Sequence, residues 1–212
     1  AVSYPRHMLT PHYWDEEEKK NYDIEEYQQK QDGTFTLIET LKESLLLEAD
    51  NMSTVMQTDP REALLLFGSN GPLNIKNLSH NHLSALSKAH AVITTNDGVD
   101  LIPTYLLKSW LLTRVRDILI DDTILSKEGL TLMTSDEILH ACLLRGGNPQ
   151  LSHEDHVIFL KNWLRSINMY KQSYTKIYTD DRYGDSSLPV SVILHAIPFG
   201  SFTKTEIIIT SE

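Results

Sequence analysis

The stretch LLTRVRDILIDDTILSKEG, residues 111–129, carries two arginines and then the adjacent carboxylates Asp121 and Asp122 before a glycine. Two carboxylates aimed at one substrate or one cation could do general acid–base work or hold a metal. Neighbouring positions on a helix point to different faces, so this pair is expected instead to bond local backbone donors or to cap the following turn. The histidines face the same question. His80 and His82 fall in one first helical turn, and His153 and His156 in another. The segment HEDH misses the H-E-x-x-H zinc pattern because its second histidine comes one position early. Solvated or locally bonded histidines are the expectation, and a metal enzyme built from them and the acidic residues is a remote alternative. TNDGVD lacks the later glutamate of a calcium loop. The single cysteine, Cys142, excludes an internal disulfide, and its apolar neighbours in EILHACLLRG mark it as a buried structural thiol. No phosphate-binding glycine loop, dinucleotide fingerprint or nucleophile elbow occurs, so no enzyme activity, metal or cofactor is expected.

The elements that would carry these residues are helical. In 212 residues only 9 are Gly and 8 Pro, and long stretches lack turn dipeptides, which points to an all-α domain. The net charge of -10 repels a phosphate backbone, so DNA is excluded as a partner and RNA contact is disfavoured. Lys108, Arg114, Arg116 and Arg145 are the candidates for a local basic patch. No apolar run approaches the ~20 residues a spanning helix needs. The chain begins at Ala1 with neither a methionine nor a charged-then-apolar leader, as expected of a processed or truncated form.

Residues 1–35 form an N-terminal segment of Pro, aromatic and charged residues that could hardly order itself alone. From Thr36 the pattern becomes helical, with Leu37, Leu41, Leu45 and Met52 near one face. DPREALLLFG offers Asp59 as N-cap, Pro60 at the first turn and Gly68 as terminator. Ser79 caps the next helix, with Leu78 and Leu83 as its staple. Pro103 opens the helix of the quoted stretch, with Leu107, Leu111, Val115 and Ile118 on one stripe. Thr134 and Glu137 form a capping box, Met133 and Ile138 a staple, and Gly146 or Gly147 the stop. A helix from Ser152 would bury Val157, Leu160, Leu164 and Ile167. LPVSVILHAI reads as a short apolar helix within a 36–200 domain, and TEIIIT, in the 201–212 tail, as a strand.

Several of these segments together resemble the LETM family of mitochondrial inner-membrane proteins. The pattern D-D-x-x-L-x-x-E-G is realised by Asp121, Asp122, Leu125, Glu128 and Gly129. E-I-x-x-A-C-x-x-R-G follows as Glu137, Ile138, Ala141, Cys142, Arg145 and Gly146, and then come LKNWL, with Trp163 and Leu164, and LPVSVILHAI. SYPRHMLTPHYW is similar to the segment that family members carry just after their transmembrane helix, closest to the LETM-domain-containing branch without EF-hands. The resemblance implies a ribosome-binding-type helical domain similar in fold to the 14-3-3 proteins, on the matrix side of the mitochondrial inner membrane. It further implies a non-enzymatic module that docks mitochondrial ribosomes and supports respiratory-complex biogenesis. The acidic balance makes a ribosomal protein an easier target than ribosomal RNA. An alternative is a permanent accessory subunit of a large inner-membrane complex, contacting respiratory subunits. Tyr4, Arg6, Tyr13 and Trp14, with Lys108, Arg114, Arg116 and Arg145, are the candidate partner-binding residues, aromatics and arginine being enriched at interfaces.

Overall fold

The first helix starts in the charged segment, well upstream of Thr36. In the computed structural model, which describes residues 15–45, 65–68, 70–93, 101–177 and 187–200, α1 spans Glu16–Leu45. Asp15 accepts from the Glu18 N–H at 2.8 Å while Glu18 accepts from that of Asp15 at 3.2 Å, a reciprocal cap, and three glutamates complement the helix dipole. The expected start at Thr36 is therefore corrected, and position 35 falls inside α1. The periodicity there is carried by unusual residues: Lys30, Gly33 and Thr34 are buried on the same side as Leu37 and Leu41. An apolar stripe does not run through them, so hydrophobic spacing could not report the first half of the helix.

Gly33 sits where α1 crosses α2 (His80–Ala89). A Cβ there would overlap the backbone of Lys88 and Ala89. Ser79 caps α2 by accepting from the His82 N–H at 3.3 Å, and both staple residues, Leu78 and Leu83, are buried. After Pro103, α3 (Thr104–Glu128) buries Leu107, Leu111, Val115 and Ile118 as the spacing requires.

Next, α4 (Ser135–Leu144) begins with the Thr134–Glu137 capping box. It ends with the Gly147 N–H on Cys142 O at 2.8 Å and the Gly146 N–H on Leu143 O at 3.3 Å, a Schellman stop with Gly146 at φ +80°. In α5 (His153–Ile177) Ser152 accepts from the Asp155 N–H at 3.2 Å. Leu160 and Ile167 are buried and Val157 and Leu164 half-buried, along the expected face. α6 (Ser187–Gly200) is mostly apolar, with Ser191 and His195 among its buried residues, and is buried from Val190 to Pro198 as a central helix must be.

The larger core joins Leu37 and Leu41 of α1, Leu83 and Leu86 of α2, the α3 stripe, Trp163 and Ile167 of α5, and α6. A smaller one holds Leu125, Ile138, Ala141, Cys142 and Leu160, where α4 and α5 meet the end of α3. The fold is all-α: six helices and a helical turn at 65–67, with no strand among the described residues. Among those residues no helix is long and apolar enough to cross a membrane. The positions read as Asp59 N-cap, Met52, TNDGVD and TEIIIT lie outside the described residues, as do Tyr4, Arg6, Tyr13 and Trp14.

Candidate functional site

Asp121 and Asp122 do converge, on Arg145. The guanidinium sends Nε (3.0 Å) and Nη2 (2.8 Å) to Asp122 Oδ1, Nη2 to Asp121 Oδ2 (2.5 Å) and Nη1 to Ala141 O (2.7 Å). The Trp163 indole N–H is shared between the two Asp122 oxygens at 3.1 and 3.2 Å. The expectation of local backbone bonding is thus corrected. The ~100° between adjacent helical side chains is too wide for one small substrate atom, but a planar guanidinium presents donors along two edges and spans it. The side chain of Asp122 is 1 % exposed, that of Arg145 0 % and that of Asp121 40 %. Asp122 is engaged through both oxygens and Asp121 through one, so the guanidinium and the indole clasp α3, α4 and α5 together.

A second cation extends this clasp to α1. Lys30 Nζ donates to Leu143 O near the end of α4 at 3.0 Å and pairs with Glu26 at 2.6 Å; burial pulls the ammonium below its ordinary pKa, against the pull of Glu26. Lys30 gave no signal in the sequence beyond its i,i+4 spacing from Glu26. Cys142, beneath Arg145, donates its S–H to His156 O at 3.3 Å, and burial pushes the thiol up to about 12. The buried, inert reading of this cysteine holds.

The histidines are corrected in part. His82 is neither solvated nor locally bonded through its ring: its Nε2 lies 3.1 Å from Nε2 of His195, 113 residues away. The His195 Nδ1–H donates to Ser191 O at 2.8 Å, so its Nε2 is the acceptor for His82. His90 donates from Nε2 to Leu194 O at 2.8 Å. Burial lowers all three, His82 and His90 to about 3 and His195 to about 4, with the neighbouring His195 adding to the effect on His82. They are neutral polar struts between α2 and α6. His153 is exposed, and His156 is buried with Nε2 2.8 Å from Asn148 O. No group of three potential metal ligands exists among the described residues.

The four basic candidates do not form one patch. Arg145 is interior, so its expected place in a docking surface is corrected. Arg114 is half-buried; burial lowers its pKa, against Glu26 and Asp117. Arg116 is exposed, and at ~100° per residue it lies on a different face of α3 from Arg114. The half-buried Lys108 donates to Lys76 O at 2.9 Å. Exposed along α3 are Tyr105, Trp110, Ile120 and Ile124, interspersed with Ser109, Thr113, Arg116, Asp117 and Thr123.

The family model described as LETM1-like, RBD matches residues 1–178, ending before α6. LETM1 domain-containing protein 1 of Xenopus tropicalis is 28% identical over 185 residues, covering 80% of this chain and 51% of that protein. The chain thus spans about half the length of this curated relative. No solved structure matches the chain, and the likeness to 14-3-3 proteins remains an expectation. The matched family is not a known enzyme family. With the clasp built from Asp121, Asp122 and Arg145 inside a match that covers most of its length, the chain belongs to the LETM1-like RBD family.

Proposed function

We propose that this chain is a non-enzymatic docking domain of a LETM-like mitochondrial protein, facing the matrix at the inner membrane, that holds mitochondrial ribosomes and supports biogenesis of respiratory complexes. The observation that carries the reading is the match to a ribosome-binding-type family over residues 1–178. The surface chemistry favours a ribosomal protein over RNA as the contact. The net charge is -10, and the exposed acidic start of α1 suits a basic partner. On this reading Trp110, Arg116 and Ile120 of α3 form one contact set, and Tyr4, Arg6, Tyr13 and Trp14 a second.

The test is to tag the protein in mitochondria, solubilise it gently and identify co-purifying proteins before and after a high-salt wash. Ribosomal proteins should be recovered and lost with salt, because charge-led contacts are screened. Trp110→Ala with Ile120→Ala should lower that recovery about tenfold without changing the thermal unfolding of the domain. Salt-resistant, stoichiometric respiratory subunits in place of ribosomal proteins would establish the accessory-subunit alternative, which the exposed apolar residues of α3 also suit.

A further inference from the structure

Away from the outer face of α3, a groove of about 550 Å³ opens between the end of α3, the turn into α4, and α5. Its floor is the outer side of the smaller core, with Leu125, Leu130, Met133, Ile138, Val157 and Leu164. That volume is in the range of sites that bury a ligand, and the floor is apolar as such sites are. Leu132, between two lining residues, projects into solvent at 86% exposure.

The charge of the lining departs from that of the chain. Asp and Glu number 29 against 19 Lys and Arg, yet no lining residue is acidic, and the single formal charge is the cation Lys161. Lys161 is exposed and makes no ion pair among the described residues; Arg165, one turn on along α5, is exposed and likewise without one. Ser126, Thr131, His153 and Asn168 complete the polar rim. An apolar floor beside two unpaired cations is complementary to a helix with leucine-type residues on one face and carboxylates along its edge, docked helix-in-groove.

We propose that this groove receives a short acidic amphipathic helix from a partner protein, its apolar face on Leu130, Val157 and Leu164 and a carboxylate over Lys161. This surface is independent of the α3 face assigned to the ribosome, so either assignment can fail without the other.

The test uses the full chain and a fluorescent synthetic peptide with leucines at i, i+3, i+4 and i+7 and glutamates elsewhere, against its twin in which lysines replace the glutamates. Anisotropy should show saturable binding of the glutamate peptide and not of the lysine twin, with the amide resonances of Leu130, Val157 and Lys161 shifting on titration. Two variants at exposed positions leave the core intact. Lys161→Glu should weaken binding about fivefold by turning attraction into repulsion. Ser126→Trp should abolish it by filling the groove. Unchanged circular-dichroism melts would exclude unfolding as the cause. No binding of the glutamate peptide, equal or preferred binding of the lysine twin, or binding insensitive to both variants each overturns the proposal.

Discussion

At the scale of single residues the decisive group is Arg145, whose four hydrogen bonds reach Asp121, Asp122 and Ala141. Removing one partner from a buried ion pair leaves an uncompensated charge away from water, which costs several kcal/mol, whereas replacing the set by apolar residues is far cheaper. Arg145→Met is therefore expected to lower stability by about 3–5 kcal/mol. Adding Asp122→Leu should restore part of that, and urea unfolding of both variants checks the order. The neighbouring thiol gives an independent reading of the same interior. With burial holding Cys142 up at about 12, the native protein should not react with a thiol reagent at mildly alkaline pH and should react fully once denatured.

At the scale of elements, the helix ends were legible because their chemistry is local. Ser79, the Thr134–Glu137 box and the Gly146–Gly147 stop each act within one turn of backbone, and each is found where its spacing put it. The first half of α1 was not legible, since its buried face runs through Lys30, Gly33 and Thr34, types that carry no apolar signal. Gly33 separates propensity from packing. Alanine is the better helix former by ~1 kcal/mol, yet a Cβ here meets the backbone of Lys88 and Ala89. Gly33→Ala should therefore destabilise, by about 1–3 kcal/mol in denaturant unfolding, against the sign that propensity alone gives.

Over the whole molecule, α6 is held to α2 by buried polar contacts as well as by packing, and this sets an acid limit. His82, His90 and His195 are neutral in the folded chain with pKa values of about 3, 3 and 4, below the ordinary 6.5. Between 6.5 and those values the unfolded chain binds the extra protons. Their contribution is thus fully present above pH 6.5 and is lost as pH falls, each histidine costing up to about 1.4 kcal/mol per pH unit. Urea midpoints measured downward from neutral pH should drop in step. His90→Gln, which retains a donor for Leu194 O, should flatten the decline by about one proton's worth.

Fold class and family were readable in linear order. Helical periodicity and caps depend on residues at most a turn or two apart, and the family patterns around Asp121 and Glu137 are contiguous. Partnership across the chain was not. That Asp122 meets Arg145 and Trp163, that Lys30 reaches the end of α4, and that His82 finds His195 depend on which helix faces which. The same packing turned Arg145 from a surface cation into an interior clasp and left Arg116 outside. Burial is set by neighbours distant in sequence, and a residue's type and spacing record only the face it occupies on its own helix.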